Sequence, residues 1–226
     1  MIYAANAYVA LNSGNSVQLL GESLPRYNDF EKGITPIYPG TLTINTGAGG
    51  VILGNNVTLF PSPLGNLIIT TTGGGSLQTK AYADYLAALD YYNQHQNDDP
   101  PPALPTPPAD QWQLLVSDSG KTQYKAAGDF GIADHAAVPV HLNDPEPIRL
   151  NISGGMNGII LGAPKRAEIN VAGDMVNSRL DGQNLHDTDV TSINVDGNII
   201  NRPRFHHHHS GRAAGFFRCL IWFIRR

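Results

Sequence analysis

The amino-acid sequence predicts an all-β protein that folds as a right-handed parallel β-helix, a solenoid with coils of about 19–25 residues. A nine-residue pattern recurs in the second half of the chain. Short runs rich in β-branched residues alternate with Gly, Asn and Pro from Gly40 onward. Glycine and proline are abundant, with 24 and 16 copies in 226 residues, and no collagen-like period organises them. These observations favour a turn-rich stack of short strands.

The recurring pattern reads "INVAGDMVN" from Ile169 and "INVDGNIIN" from Ile193, with a looser copy, "LNISGGMNG", from Leu150. One such unit has a single apolar face, so it needs neighbouring copies stacked in register to bury that face. We therefore expect the aliphatic positions to stack in two columns, one of Leu150, Ile169 and Ile193 and one of Ile152, Val171 and Val195.

Polar and glycine positions of the pattern also align between copies. Alternation along the strand places an asparagine row outside, where it forms either a ladder of side-chain amides or ordinary solvated strand polarity. The aligned glycines are expected where each coil turns, a position that needs either positive φ or close backbone approach. The aligned residues are Asn151, Asn170 and Asn194 in the row and Gly154, Gly173 and Gly197 at the turns.

The chain divides into five segments by composition and periodicity. Residues 1–40 are predicted as strands and loops that could cap the stack, and the last segment is an atypical basic and apolar tail. The segments are 1–40, β-helix coils in 41–79, a helix with a polyproline insertion in 80–112, further coils in 113–202, and the tail in 203–226.

The insertion in residues 80–112 interrupts the strands. Its first part, "AYADYLAALDYYNQHQ", places aromatic and leucine residues at helical spacing and contains alanines that favour a helix of about three turns. Six prolines follow between Asn97 and Asp110, and proline can neither continue a helix nor donate to a sheet. We expect an extended surface connection there, with a proline-recognition ligand as the less favoured alternative.

Composition excludes several classes of protein. Residues 202–226 hold six arginines and no acid, which leaves a body with about ten excess negative charges and argues against nucleic-acid binding. The apolar cluster Phe216–Ile224 is too short to span a membrane. The single Cys219 excludes an internal disulfide framework. The first 20 residues have neither the basic nor the apolar region of a signal peptide.

Two clusters of polar residues are candidate sites. The first gathers two histidines, two acids and an arginine, which could do acid–base chemistry, but loop ion pairs between Asp144 or Glu146 and Arg149 are the favoured interpretation. The second could hold a metal, although carboxylates in Gly/Asn-rich turns usually form turns and caps. The first contains His135, His141, Asp144, Glu146 and Arg149, and the second Asp181, His186, Asp187 and Asp189.

Other motifs point to no chemistry. The glycine-rich "GAGG", "TGGGS" and "SGG" lack the Lys-Ser/Thr pair of a phosphate loop, so they are predicted to be turns. Ser153 and Ser178 lack the strand–nucleophile–helix context of a hydrolase. His206–His209 could hold a transition metal or belong to a tag. No residue is nominated as catalytic, cofactor-binding or metal-binding, and no cofactor is expected.

Two stretches resemble filamentous haemagglutinin-type exoproteins. In "INTGAGGVILGNNVTLFPSPLGNLIITTTGGG", strands surround the "sPxGnL" turn of that family. Pro139 through Arg149 is similar to its "PVH…D.EPIR" motif, Pro164 to Met175 to "lpKpArI.AG.DI", and Gln183 to Ile199 to "gQNl..tDVT.I.AG.DI". The resemblance covers roughly residues 40–80 and 130–201, about half of the chain.

This resemblance implies a secreted or cell-surface adhesin that crosses the bacterial outer membrane by two-partner secretion. The implied partners are the parent protein's outer-membrane transporter and a receptor or glycan on a host or neighbouring cell. The chain is much shorter than typical members, lacks their secretion domain and has an unfamiliar tail, as expected of a truncated frame whose last residues are out of frame. The alternatives are a β-helical polysaccharide lyase or hydrolase, and a fragment without independent function.

Overall fold

The computed structural model describes residues 6–21, 37–121 and 130–201, together with the backbone of residues 222–223. The predictions for His206–His209, Cys219 and most of the tail lie outside these residues. The described chain forms, in order, β1 (Tyr8–Asn12), β2 (Ser16–Leu19), β3 (Ile37–Tyr38), β4 (Thr41–Thr46), β5 (Gly50–Leu53), β6 (Val57–Leu59), β7 (Leu67–Thr71), β8 (Leu77–Thr79), α1 (Lys80–His95), β9 (Trp112–Val116), β10 (Ile148–Ile152), β11 (Met156–Asn157), β12 (Ile159–Ala163), β13 (Ala167–Val171), β14 (Met175–Val176), β15 (Arg179–Gly182), β16 (Ser192–Val195), β17 (Ile199–Ile200) and β18 (Trp222–Phe223).

The strands form three parallel sheets of six strands each. The first sheet has the order β1-β4-β7-β10-β13-β16, the second β2-β5-β8-β11-β14-β17 and the third β3-β6-β9-β12-β15-β18. Every third strand along the chain joins the same sheet, so each coil contributes one strand to each sheet. The prediction of an all-β, parallel, solenoid-like architecture is confirmed, and β1, β2 and β3 form the first coil.

The aliphatic positions of the repeat stack as predicted. Leu150 pairs with Ile169, and Ile169 pairs with Ile193. The same column continues towards the N-terminus through three residues outside the recognised copies of the repeat: Ile69, Ile44 and Leu11. The four central members have no exposed surface, and the two end members are partly buried. This column, which we call the first-sheet column, is the spine of the apolar core.

The outer asparagine row forms an amide ladder. Asn170 Nδ2 donates to Asn151 Oδ1 at 2.9 Å, and Asn194 Nδ2 donates to Asn170 Oδ1 at 2.9 Å. In the first two coils, Asn45 Nδ2 donates to Asn12 Oδ1 at 2.8 Å. Each of these three hydrogen bonds therefore runs from an amide to the preceding coil, and Thr70 takes the place of an asparagine in the third coil. Of the two interpretations of this row, the ladder is confirmed.

Helix α1 confirms the predicted helix. The Thr79 Oγ1 accepts a hydrogen bond from the Tyr82 N–H at 3.1 Å, which caps the first turn. The Tyr82 ring is buried and meets the Tyr85 ring edge-to-face at 5.6 Å between centroids. Only this end of the helix is anchored on the sheets, because Tyr82 is its one buried residue. No helix in the described part of the chain is long and apolar enough to cross a membrane.

The glycines of the repeat are needed for close approach of coils, not for positive φ. A Cβ on Gly173 would lie 2.9 Å from the carbonyl carbon of Gly154, and a Cβ on Gly197 would lie 2.7 Å from that of Gly173. None of the three repeat glycines has positive φ. Adjacent coils thus touch backbone to backbone at this corner.

This contact makes Gly173→Ala destabilising. The added methyl group meets backbone atoms that cannot rotate away, so we expect a loss of about 1–3 kcal/mol in the free energy of unfolding. Gly14→Ala is the matched control, because a Cβ there meets nothing within 4 Å, and its effect should stay within about 0.5 kcal/mol. Urea unfolding followed by circular dichroism measures both, and equal effects would contradict the corner contact.

Candidate functional site

Two long excursions leave the stack at either end of β9. Residues 80–111 connect β8 to β9, and residues 117–147 connect β9 to β10. In the following coil the same connections are Gly158 alone and residues 164–166. Because strands must stay in register with the next coil, extra residues fit only at the corners and project outward. The candidate site lies where the second excursion folds back on the third sheet.

The second excursion is anchored by an aromatic contact. Phe130 is fully buried, and its ring meets Phe60 edge-to-face at 5.2 Å between centroids. The Ser117 hydroxyl donates to the Phe130 carbonyl oxygen at 2.7 Å. Phe130 has φ 66°, which is uncommon for a bulky residue. Burial of its ring and this hydrogen bond hold the chain in that conformation.

A cleft of about 250 Å³ separates the excursion from the outer face of the third sheet. Gly162 lies on its floor, and the Leu115 side chain covers the place where a Cβ would stand. Most of the lining is apolar, and four polar side chains contribute the rest. The lining residues are Leu115, Val116, Asp118, Gly131, Ile132, His135, Gly162, Ala163, Pro164, Asp181, Gly182 and Gln183. We call this feature the third-sheet cleft.

A carboxylate–imidazole pair stands at the third-sheet cleft. Asp118 Oδ2 lies 3.3 Å from His135 Nδ1, and Asp118 Oδ1 accepts the Val140 N–H at 2.6 Å. The Asp118 side chain is buried, whereas that of His135 is half-exposed. Both carboxylate oxygens of Asp118 are thus used to hold the excursion in place. The pair can still present one imidazole nitrogen to a ligand.

A second, buried group of charges fastens the end of the excursion. Lys165 Nζ forms an ion pair with Asp144 Oδ2, and their side chains are only 2% and 4% exposed. His141 is 1% exposed, with its Nε2 at 3.2 Å from the Ser117 carbonyl oxygen and its Nδ1 without a hydrogen-bond partner. We call Lys165, Asp144 and His141 the buried latch.

Burial controls the ionisation of the buried latch. Desolvation and the neighbouring Lys165 ammonium lower the pKa of His141, against the opposing effects of the Ser117 carbonyl and of Asp118 and Asp144. Desolvation also lowers the pKa of Lys165, and the hydrogen bond to Asp144 opposes it. His141 is therefore held neutral in the folded protein.

The lowered pKa of His141 makes stability depend on pH. In the unfolded chain the imidazole regains its ordinary pKa of 6.5, so below pH 6.5 the unfolded state binds a proton that the folded state does not. We expect the free energy of unfolding to fall as pH drops below 6.5, until the lowered pKa of the folded state is reached. His141→Gln should have a flatter profile in this range in urea titrations. Parallel profiles would contradict the assignment.

The remaining residues of the first predicted cluster lie on the outside. Arg149 Nη1 donates to Glu146 Oε2 at 3.1 Å, and its Nε donates to Glu168 Oε2 at 3.3 Å. Glu146 is therefore the loop partner of Arg149, while Asp144 pairs with Lys165 instead. The five predicted residues are divided among the cleft, the buried latch and this surface ion pair. They do not form one catalytic constellation.

The second predicted cluster contains turn-forming residues. Asp189 Oδ2 accepts the N–H groups of Leu185 and His186, each at 3.0 Å. His186 Nε2 lies 2.6 Å from the Leu142 carbonyl oxygen, and Asp181 pairs with Arg179 at 3.0 Å. Within residues 6–21, 37–121 and 130–201, no three His, Cys, Asp or Glu side chains are grouped to hold a metal ion.

The serines and glycine-rich turns also serve the backbone. Ser178 Oγ bonds the Met156 and Val176 carbonyl oxygens at 3.1 Å and accepts the Ile159 N–H at 3.0 Å. Ser153 Oγ accepts the Gly74 N–H at 3.1 Å. Both hydroxyls are thus engaged at corners between sheets, where the predicted turns lie.

The sequence analysis did not identify Lys165 and Asp118 as residues of the candidate site. Lysine is almost never fully buried, so "APKRAE" gives no sign that Lys165 is inside. Asp118 follows β9 in "VSDSG", which resembles an ordinary turn. The available signal was indirect: an excursion that contains two histidines and five acidic residues needs partners in the stack that it covers.

The arrangement can bind a small, partly apolar group in the third-sheet cleft, next to one imidazole and one carboxylate. Its charged groups otherwise fasten the excursion to the stack. Comparison of the chain with models of protein families, with curated proteins and with solved structures finds no match.

Proposed function

We propose that this chain is a right-handed parallel β-helical segment of a filamentous haemagglutinin-type exoprotein, with a structural and adhesive role at the bacterial cell surface or after secretion. The observation that carries the proposal is the stack of six coils with an unbroken aliphatic spine and excursions confined to the corners. Such a stack is a rigid support for displayed loops.

The proposed right-handedness is supported by a general rule for parallel strands. Connections between neighbouring parallel strands of one sheet are right-handed in about 98% of cases, because the twist of the strands favours that direction. Each coil here is one such connection, running from the first sheet through the second and third and back. All six coils stack in one sheet order, so they share one hand.

Two of the motifs that resemble the exoprotein family contain the residues of the buried latch. The motif at Pro139 through Arg149 contains His141 and Asp144 of the buried latch, and the motif at Pro164 to Met175 contains Lys165. The two motifs thus supply opposite sides of one contact. Their joint presence supports membership in a family that needs this excursion fastened to the stack.

The first excursion, residues 80–111, is the part best suited to contact a receptor or glycan. Leu86, Tyr91 and Leu104 are 40%, 57% and 65% exposed, although they are large and apolar. Tyrosine and other aromatic residues are enriched at the centres of protein interfaces. Tyr82 is the only buried residue of α1, and the end of the excursion is hydrogen-bonded to Asn177, so the exposed side chains between these two anchors are available to a partner.

The proposed adhesive role is tested with the full chain on glycan arrays and on cultured cells. We expect saturable binding. A variant in which residues 80–111 are replaced by an Asn-Ser link, as at Asn177–Ser178 of a later coil, should keep its β circular dichroism and cooperative melt but bind about tenfold more weakly or less. A folded full chain that binds none of these surfaces would refute adhesion. Equal binding by the variant would show that the binding surface lies outside residues 80–111.

A β-helical polysaccharide lyase or hydrolase is the second candidate. The Asp118–His135 pair at the third-sheet cleft, with Asp181 in the same lining, favours it. The test is release of reducing ends or unsaturated products from a panel of polysaccharides by the wild type and His135→Gln. Product release that is lost in the variant would favour the enzyme over the adhesin.

The proposed membership in the exoprotein family also includes the parent protein's outer-membrane transporter as a partner. A stack of coils whose contacts are mostly with neighbouring coils can fold progressively as the chain emerges from a transporter. A chain that shows no cooperative unfolding on its own would identify it as a fragment that depends on neighbouring coils of its parent.

A further inference from the structure

We infer that this chain assembles head to tail with a second copy of itself, the first coil of one copy stacking on the last coil of another. The inference goes beyond the proposed adhesive role and does not depend on it. It rests on the match between two surfaces: the N-terminal face, formed by β1 and β2, and the C-terminal face, formed by β16 and β17.

The two faces carry the ends of the same columns. The first-sheet column begins at Leu11 and ends at Ile193. A second column, in the second sheet, begins at Val17 and ends at Ile199. Ile199 is 52% exposed, although it occupies a position that is fully buried in the central coils. Each column therefore presents an aliphatic residue at both faces.

The spacing of these residues also matches. Val17 lies six positions after Leu11, and Ile199 lies six positions after Ile193. A second copy can therefore place Leu11 on Ile193 and Val17 on Ile199 in the same register. The coil that follows the first one in the chain has a seven-residue spacing, from Ile44 to Val51. The first coil thus matches the last coil more closely than it matches its own neighbour.

The amide ladder gives the contact a direction. Its three amide–amide hydrogen bonds all run towards the preceding coil, so the described structure leaves the Asn194 Oδ1 acceptor open at the C-terminal face and the Asn12 Nδ2 donor open at the N-terminal face. A head-to-tail contact joins this donor to this acceptor. A contact between two C-terminal faces would bring two acceptors together, which is unfavourable.

Such a contact is heterologous, so it does not close at two copies but continues as a linear chain. Within the described residues, the strands β1 and β2 at one face and β16 and β17 at the other pair on one side only, and their free edges supply backbone hydrogen bonds. We expect the mass of the full chain in sedimentation velocity to rise continuously with concentration. A monomer of constant mass at all concentrations would overturn the inference.

Paired variants test the direction. Ile199→Lys places a charge on the C-terminal face and Val17→Lys places one on the N-terminal face, so each alone should lower the association constant by about tenfold or more. Mixed together, they should form a one-to-one dimer and nothing larger, because each retains one good face. Leu104→Lys, an exposed change in the first excursion, is the matched control and should associate like the wild type. Dimers of Val17→Lys alone would overturn the head-to-tail arrangement.

A thiol trap keeps the test valid if Val17→Lys fails to fold. Asn12→Cys and Asn194→Cys are made separately in a Cys219→Ser background, mixed and oxidised. The ladder position places the two sulfurs on adjacent strands, so in an equal mixture the 12–194 disulfide should exceed the sum of the 12–12 and 194–194 products, which random pairing would only equal. A 12–194 yield no greater than the sum of the other two products, or no disulfide, would contradict the inference.

Discussion

Replacing Asp144 with asparagine should lower the free energy of unfolding by about 3–5 kcal/mol, the usual cost of leaving one charge of a buried ion pair without its partner. Lys165 and Asp144 are both nearly inaccessible to water, so neither can be solvated in place. The neighbouring His141 has a lowered pKa and offers no compensating negative charge. Urea unfolding at pH 7 measures the loss.

The pH dependence of the Asp144→Asn variant separates a charge effect from a packing effect. The pKa of Lys165 is already lowered by burial. At high pH the amine can release its proton, and a neutral amine needs no counter-charge. The loss in Asp144→Asn relative to wild type should therefore shrink as pH rises. The double variant Asp144→Asn with Lys165→Met should lose less stability than the sum of the losses in the two single variants. Additive effects would show that the pair is not coupled.

Leu150→Ala should cost about 2–5 kcal/mol, because it opens a cavity in the middle of the first-sheet column. Leu150 has no exposed surface and lies between Ile69 and Ile169 in adjacent coils. Neither neighbour can move inward without breaking its own strand pairing. Thermal and urea unfolding of the full chain measure the effect.

Ile193→Ala is the matched control for Leu150→Ala. It removes an aliphatic side chain from the same column, but at the end coil, where Ile193 is only partly buried. Its cost should be clearly smaller, since surrounding groups and water can fill the space. Equal losses of stability at the two positions would contradict the description of Leu150 as central and fully buried and of Ile193 as terminal and partly buried.

The stacking of the coils was predictable because the repeat has a fixed sequence signature. In "INVAGDMVN" and "INVDGNIIN", alternation alone assigns Ile169 and Ile193 to the interior and Asn170 and Asn194 to the outside, and the structure agrees. The same signature occurs as Leu11-Asn12 and Ile44-Asn45. Those copies were not recognised because their following turns differ in length and composition from the later ones.

The candidate site was less predictable because it depends on contacts between distant segments. The acidic and histidine residues of the second excursion were identified as a cluster, yet their partners were not. Lys165 lies 21 residues after Asp144 and on a different element. No periodicity links an irregular excursion to the sheet that it covers, so burial of a lysine there has no sequence signature.

The uneven placement of the excursions has a consequence for the order of folding. In the first sheet, residues that pair between the last three coils are 19 and 24 positions apart, whereas residues that pair between the third and the fourth coil are 81 positions apart. Closing a longer loop costs more conformational entropy, and contacts between distant positions form more slowly. The C-terminal coils should therefore nucleate first and act as a template on which β7 and the coils before it are added. Addition of the third coil, which carries both excursions, would then be the slowest step in the folding of the chain.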